Sequence, residues 1–409
     1  MQPMVKILQI NITANWGSTG KIAEQIGECA MALGWEYYHA FGYYINPSKA
    51  HIIQIGSKWS VRWHRKIAKY WLGDGRGSRC ATWELVRKIK EIKPDIIHLH
   101  NIHGIYINYP ILFEYLNSVD TPVVWTLHDC WAITGRCAHF EPAGCSRWKT
   151  GCGSCPAPLS YPKSKFFDWS AHNYKLKKRL FTAKRNMHLI PVSNWLKNYV
   201  GESFLKDCSC TTIHNGVDID LFSPTVDETL PVNKGKHLII GVASQWSASK
   251  GFDDFIKLRK LLDPAQYDIT LIGLNDELIK ALPEGITGIK RTQSVKELAS
   301  YYTAASVFVN PTYSDNYPTT NLEAMACGTP VITYKTGGSP EAITPETGLV
   351  VEQGDIEALV EAIKEVCTNG KEHYFEACRT RAVEHFDKRK CYAKYIELYK
   401  ELLTKKTDK

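Results

Sequence analysis

Along this chain, short apolar or β-branched runs alternate with helical patterns, and the alternation is carried through twice. A strand that is followed by a helix and then by another strand needs a crossover connection. The strands therefore lie parallel, with helices on both faces of the sheet. In the first half, Lys6–Asn11, Ile96–His100, Pro122–Leu127, Met187–Pro191 and Cys210–His214 read as strands, and Gly20–Leu33 and Trp83–Ile92 as helices. In the second half, the strands are His237–Ala243, Tyr267–Ile272, Val307–Asn310 and Pro330–Tyr334. Helical patterns separate them at Phe252–Leu261, Val295–Ala304, Leu322–Cys327 and Ile356–Cys367. The expected fold class is α/β, with two doubly wound domains at 1–217 and 237–387. The Pro-, Asp-, Thr- and Asn-rich stretch 218–236 joins them. A last helix, 388–409, carries Tyr392, Tyr395, Ile396, Tyr399 and Leu402 at amphipathic spacing and is available to pack back on the N-terminal domain.

A length of 409 residues suits two domains. No apolar run reaches the roughly 18 residues that span a bilayer. Met1–Ile12 lacks a charged-then-apolar secretory pattern, so the expected location is the cytoplasm. There, the 13 cysteines are not expected to form a disulfide framework. The net charge of +8 is unevenly placed. Arg62 to Lys93 holds ten Lys/Arg against three acids, and Lys163 to Arg185 eight against one. Trp59, Trp63, Tyr70 and Trp71 accompany the first stretch. Basic plus aromatic residues fit an anionic membrane surface, and a solvated basic face is the plain alternative. No nucleic-acid motif accompanies the charge, so no nucleic-acid partner is expected.

Candidate site residues fall where strands end. Trp16-Gly17-Ser18-Thr19-Gly20-Lys21 follows the first strand and opens a helix, where free N–H groups can meet a phosphate. A tight strand-to-helix turn explains it equally. His98, His100 and His103 cluster at one strand end and His128-Asp129 at the next. Their spacing is not that of a metal site. Lys250-Gly251 precedes a helix, and its ammonium can neutralise a phosphate. The densest region is 310–341, NPTYSDNYPTTNLEAMACGTPVITYKTGGSPE. It places Asp315 eight residues before Glu323. Thr319, Thr320 and Asn321 offer N–H groups at a helix start, and Glu323 can accept from ribose hydroxyls. Between 130 and 160 lies a Cys-rich insert. Cys152-x-x-Cys155, with Cys137 and Cys145, has the bite for one structural zinc, with free thiols or a redox pair as alternatives.

The chain resembles the retaining glycosyltransferases of family 4, of the GT-B fold, in their bacterial polysaccharide-assembly branch. The residues that carry the resemblance are Gly17-Ser18-Thr19-Gly20, Thr126-Leu127-His128-Asp129, Val192-Ser193-Asn194, His214-Asn215-Gly216-Val217-Asp218, Ser249-Lys250-Gly251 and the block from Asn321 to Ile332. The resemblance implies two Rossmann-like domains facing across a cleft. It implies a UDP- or GDP-sugar held by the C-terminal domain and a saccharide acceptor, polyprenyl-diphosphate-linked, held by the N-terminal domain. Lys250 would bind the diphosphate, Glu323 the ribose and His128 the transferred sugar. Gly17, Thr319, Thr320 and Asn321 would lie near the donor. Asp315 would be catalytic, and His100 and Asp129 would sit on the acceptor side. The basic and aromatic stretches predict a peripheral place on the inner membrane face. The resemblance implies no catalytic metal, and no Asp-x-Asp sequence reads as a Mg²⁺ site. Two departures stand out. The first acid of the pair is Asp315 where the family usually has Glu. Ser244 and Gln245 stand where it tends to carry Arg, a charge for which Arg291 is the candidate substitute. An inactive nucleotide-sugar-binding subunit and a hydrolase, phosphorylase or epimerase of the same fold are the alternatives.

Overall fold

The computed structural model describes residues 4–68, 70, 75–158, 161–162, 166–233 and 235–407. It divides into two units: residues 1–214 with 392–409, and residues 215–391. Unit 1 is built on strands β1 (Lys6–Asn11), β2 (Glu36–Phe41), β3 (His51–Gln54), β4 (Ile96–Leu99), β5 (Val123–Leu127), β6 (Met187–Pro191) and β7 (Ser209–Cys210). They form one parallel sheet in the order β3-β2-β1-β4-β5-β6-β7. Unit 2 contains β8 (His237–Val242), β9 (Tyr267–Ile272), β10 (Ile286–Ile289), β11 (Val307–Asn310), β12 (Val331–Tyr334) and β13 (Gly348–Val351). These are also parallel, in the order β10-β9-β8-β11-β12-β13.

The central strands are buried along their whole length, as sheets covered on both faces require. In unit 1 the helices close over them with large apolar side chains. Phe113, Trp125 and Phe181 meet with ring centroids 4.4 to 5.6 Å apart. The last helix, Lys388–Thr407, brings Tyr395 and Tyr399 into the same unit. There the Tyr399 hydroxyl meets His98 Nδ1 at 2.6 Å.

Both units reverse the direction of chain winding at one place, between β1 and β4 and between β8 and β11. Loops leave such neighbours in opposite directions and open a crevice at the strand C-terminal ends, where open α/β sheets bind ligands. Each unit is a doubly wound, Rossmann-like domain. The stretch 218–236, expected as a linker, is partly tied into unit 2. Arg379 donates to Ile219 O and Phe222 O, and Thr225 N–H donates to Thr303 Oγ1; just before the stretch, Val217 N–H donates to Phe386 O at 2.7 Å. Among the described residues, no helix is long and apolar enough to cross a membrane.

Candidate functional site

In unit 2 the winding reversal sets two loops side by side, one after β8 and one after β11. The β8 loop ends in a tight turn, Ala248–Lys250, and Gly251 follows at φ +73°. A Cβ on Gly251 would fall 2.2 Å from the Pro311 carbonyl oxygen, so only glycine lets the loops touch. Tyr313 N–H then donates to Ser249 O at 2.9 Å and stitches them together. The result is an ion pair between Lys250 Nζ and Asp315 Oδ2 at 2.5 Å, with both side chains partly exposed. Below it sits a carboxylate that the sequence reading missed. Asp254 is 1 % exposed and accepts from Tyr313 at 2.8 Å, Tyr334 at 3.1 Å and Lys257 at 2.8 Å. An acid beside Phe255 on the apolar stripe of the helix Phe252–Leu261 was the available signal.

The helix Thr319–Ala326 starts beyond Asp315 with no side-chain cap. Thr319, Thr320 and Glu323 are half-buried on it. The Tyr302 hydroxyl donates to Glu323 Oε2 at 3.2 Å. Asn321 departs from expectation, because it faces the core. It is fully buried, accepts from Asn310 Nδ2 at 2.8 Å and donates to Ser339 Oγ at 2.9 Å. Its N–H donates to Pro318 O. Asn321 therefore braces the helix start against β11 and the turn that follows β12, and its backbone N–H is spent on Pro318 O. Gly337 (φ +56°) approaches so closely that a Cβ would lie 1.7 Å from Asp315 O. Arg291 is exposed just past β10, at the sheet edge and two strands from β8. Trp246, beside Gln245, is buried and donates to Ile272 O at 2.9 Å.

In unit 1, Gly17 (φ +66°) opens the helix after β1. On the other side of the reversal, β4 and β5 deliver the histidines. His128 is half-buried, and its Nε2 lies 3.1 Å from His100 Nδ1. Burial pulls the His128 pKa down to about 4, against the pull of Asp129. His100 was expected on the acceptor side but is 1 % exposed and supports His128 from beneath. Asp129 Oδ2 pairs with His103 Nε2 at 2.7 Å, and Oδ1 caps Trp131 N–H. Burial works to raise this carboxyl, yet His103, by charge and hydrogen bond, holds it down at about 2. His98 is spent on structure, between Tyr399 and Thr126.

The Cys-rich insert is held by cations. Lys177, 1 % exposed, donates to Trp131 O and Thr134 O and lies 3.3 Å over the Trp131 ring. Arg136 donates to Ala157 O, Pro158 O and Pro162 O. Cys152 Sγ accepts from Gly135 N–H at 3.1 Å, and Cys155 Sγ lies 4.0 Å from Arg136 Nη1. Among the described residues, no three His, Cys, Asp or Glu side chains are grouped to hold a metal ion. The Cys152 thiol is pushed up to about 11, first by burial and also by the nearby Cys137 and Cys145, and the Cys137 thiol is raised by burial and by Cys155. Lys177 and Lys184, counted in the second basic stretch, are buried. Lys69, Trp71, Lys163 and Lys165 lie outside the described residues, as do positions 159 and 160 of the insert.

Residues 49–221 match the family model Glycosyltransferase Family 4, and residues 236–369 match Glycosyl transferases group 1. A colanic acid biosynthesis glycosyl transferase of Escherichia coli K12, WcaC, is 24% identical over 385 residues, which is 88% of this chain and 90% of that one. Sucrose-phosphate synthase of Thermosynechococcus elongatus superposes with a TM-score of 0.73 at 17% identity, covering 98% of this chain and 99% of its own. Anabaena Alr3699/HepE, solved with UDP and with UDP-glucose, gives TM-scores of 0.64 and 0.63 at 14% identity, over 97% of this chain and 100% and 99% of its own.

Proposed function

The chain is a family 4-like glycosyltransferase of the GT-B fold, and from that premise we propose that it moves a sugar, with retention, from a UDP- or GDP-sugar to a saccharide acceptor in surface polysaccharide assembly. The observation that carries this reading is the Lys250–Asp315 pair at the winding reversal of unit 2, beside an uncapped helix start and Glu323. A diphosphate competes well for the Lys250 ammonium, because charge-assisted bonds to phosphate are strong. Once Lys250 turns to the phosphate, Asp315 is released to accept from hydroxyls of the transferred sugar. The N–H groups of Thr319 and Thr320 add partial positive charge, and Glu323 takes the ribose. In the reaction the anomeric C–O bond to the diphosphate breaks, and the acceptor oxygen bonds to the same face. Its proton passes to the departing phosphate oxygen. Lys250 and the helix start stabilise the charge that develops, so the step draws on no catalytic metal.

The test is a panel of UDP- and GDP-sugars with saccharide acceptors, read by the anomeric configuration of the product. Inversion overturns the retaining step. Sugar release without transfer assigns a hydrolase, and nucleotide binding without turnover assigns an inactive subunit. Glu323→Ala is expected to weaken nucleotide binding about tenfold, the value of one charged hydrogen bond. Asp315→Ala should spare UDP or GDP binding and lower turnover. Unchanged transfer by Asp315→Ala would remove its assigned role.

We place the acceptor on a polyprenyl diphosphate carrier and the enzyme on the inner membrane face. Support comes from unit 1. The helix Lys58–Ile67 buries Val61 and His64 and exposes Lys58, Trp59, Arg62, Trp63, Arg65 and Lys66, with no acid. Trp59 and Trp63 are 76% and 66% exposed. The second basic stretch meets the first, with Phe166 5.8 Å from Tyr70 and Arg76 5.0 Å over Trp169. Each cation near an anionic surface contributes about 1 kcal/mol. Replacing Arg62, Arg65 and Lys66 by Gln is therefore expected to lower co-sedimentation with anionic vesicles roughly 100-fold. Equal binding to neutral vesicles, or none to either, counts against this docking.

A further inference from the structure

We infer that Gln9 and His100 are positioning residues that fix the tautomer of His128, so that its second nitrogen, Nδ1, meets the ligand as a hydrogen-bond acceptor. Donors and acceptors along one buried chain fix the protons. Gln9 stands in β1 as a fully buried amide amid Ile7, Leu8 and Ile10. Its Nε2 donates to the Ala23 carbonyl at 2.9 Å. A carbonyl only accepts, so the amide cannot turn over, and Gln9 Oε1 must face His100. That oxygen lies 2.6 Å from His100 Nε2, which therefore carries the proton. Burial holds His100 neutral, with its pKa well below the ordinary value. A neutral imidazole with a proton on Nε2 has only a lone pair on Nδ1. His128 Nε2, 3.1 Å away, must donate to it. His128 is neutral too, so its Nδ1 keeps a lone pair.

The chain of constraint runs from Ala23 through Gln9 and His100 to His128, all within unit 1. Its consequence is chemical selectivity. An acceptor nitrogen takes a hydroxyl, and it repels phosphate and carboxylate oxygens, which have no proton to give. The ligand group at His128 must therefore be a proton donor, which in the proposed reaction is a sugar hydroxyl. This rests on the reading that the chain binds sugars. The tautomer itself does not, and the experiment separates them.

Protein labelled with ¹⁵N-histidine reports tautomers directly through two- and three-bond ¹H–¹⁵N correlations, with His128→Gln and His100→Gln spectra for assignment. Both rings are expected to be protonated at Nε2 at neutral pH. A proton on His128 Nδ1 overturns the lock whatever the protein catalyses. Gln9→Glu inverts the relay. The carboxylate draws a second proton onto His100, whose Nδ1 becomes a donor, so His128 Nε2 must accept and Nδ1 carries the hydrogen. With that inversion, kcat/KM for sugar transfer should fall about 10- to 100-fold, the value of one or two hydrogen bonds turned from made to opposed. Inversion at unchanged kcat/KM overturns the recognition role. The wild-type spectrum decides the tautomer even if Gln9→Glu fails to fold.

Discussion

Lys250→Ala is expected to lower the rate of sugar transfer roughly 10²- to 10³-fold, the range seen when one preorganised charge-stabilising donor is removed from an active site. Gly251 and the Tyr313 N–H bond hold the Lys250 turn against the β11 loop, so the ammonium is positioned before any ligand arrives. Its ion pair with Asp315 is partly exposed, and such pairs are worth about 0–1 kcal/mol to the fold. The melting temperature should therefore change little while activity collapses, and that contrast is the signature sought. Affinity for UDP or GDP should fall as well, and affinity for the free nucleoside should not, because only the phosphates meet the ammonium. Lys250→Arg is not expected to restore the rate, since a planar fork replaces a compact charge in a loop shaped around the latter. Wild-type turnover in Lys250→Ala would remove the residue from the mechanism and move the charge elsewhere, with Arg291 next in line.

Much of this arrangement was legible in the sequence, and the exceptions have physical causes. Strands buried on both faces, such as Ile-Ile-His-Leu in β4, announce themselves as apolar runs. β2 did not, because Glu-Tyr-Tyr-His-Ala-Phe interrupts the run with polar groups. One of them, His39, is buried with its Nδ1 held by the Tyr37 hydroxyl at 2.7 Å. β10 and β13 are four-residue strands that each contain a glycine, and β13 lies at the sheet edge, too brief for a pattern. Lys250, Asp315 and Glu323 stand out in the sequence as candidates because charge at strand ends and helix starts has few structural excuses. The supporting groups were not. Gln9, Asp254 and Lys177 look like ordinary polar residues until their burial is known, and burial depends on which helix covers which strand.

Asn321 makes the same point through stability. Asn321→Leu keeps the side-chain volume roughly constant and deletes the bonds to Asn310 Nδ2 and Ser339 Oγ. Ser339 retains Thr333 as a partner at 2.7 Å, so the loss falls mainly on the Asn310 amide, which is 8 % exposed. A buried donor left without a partner costs about 1–3 kcal/mol, and the deleted bonds add to that, for a total of about 2–4 kcal/mol. The expected drop in melting temperature is roughly 4–16 °C, the response of a unit of this size. Transfer activity should fall too, because Asn321 ties the start of the Thr319 helix to β11. The deciding measurement is a double-mutant cycle. Adding Asn310→Leu removes the orphaned donor, and replacing both partners of a buried hydrogen bond by apolar groups can be nearly neutral. The double variant should therefore be more stable than Asn321→Leu alone, a coupling of about 1 kcal/mol or more between residues in direct contact. If the two losses simply add, Asn321 and Asn310 stabilise the fold independently and the brace at the helix start does not exist.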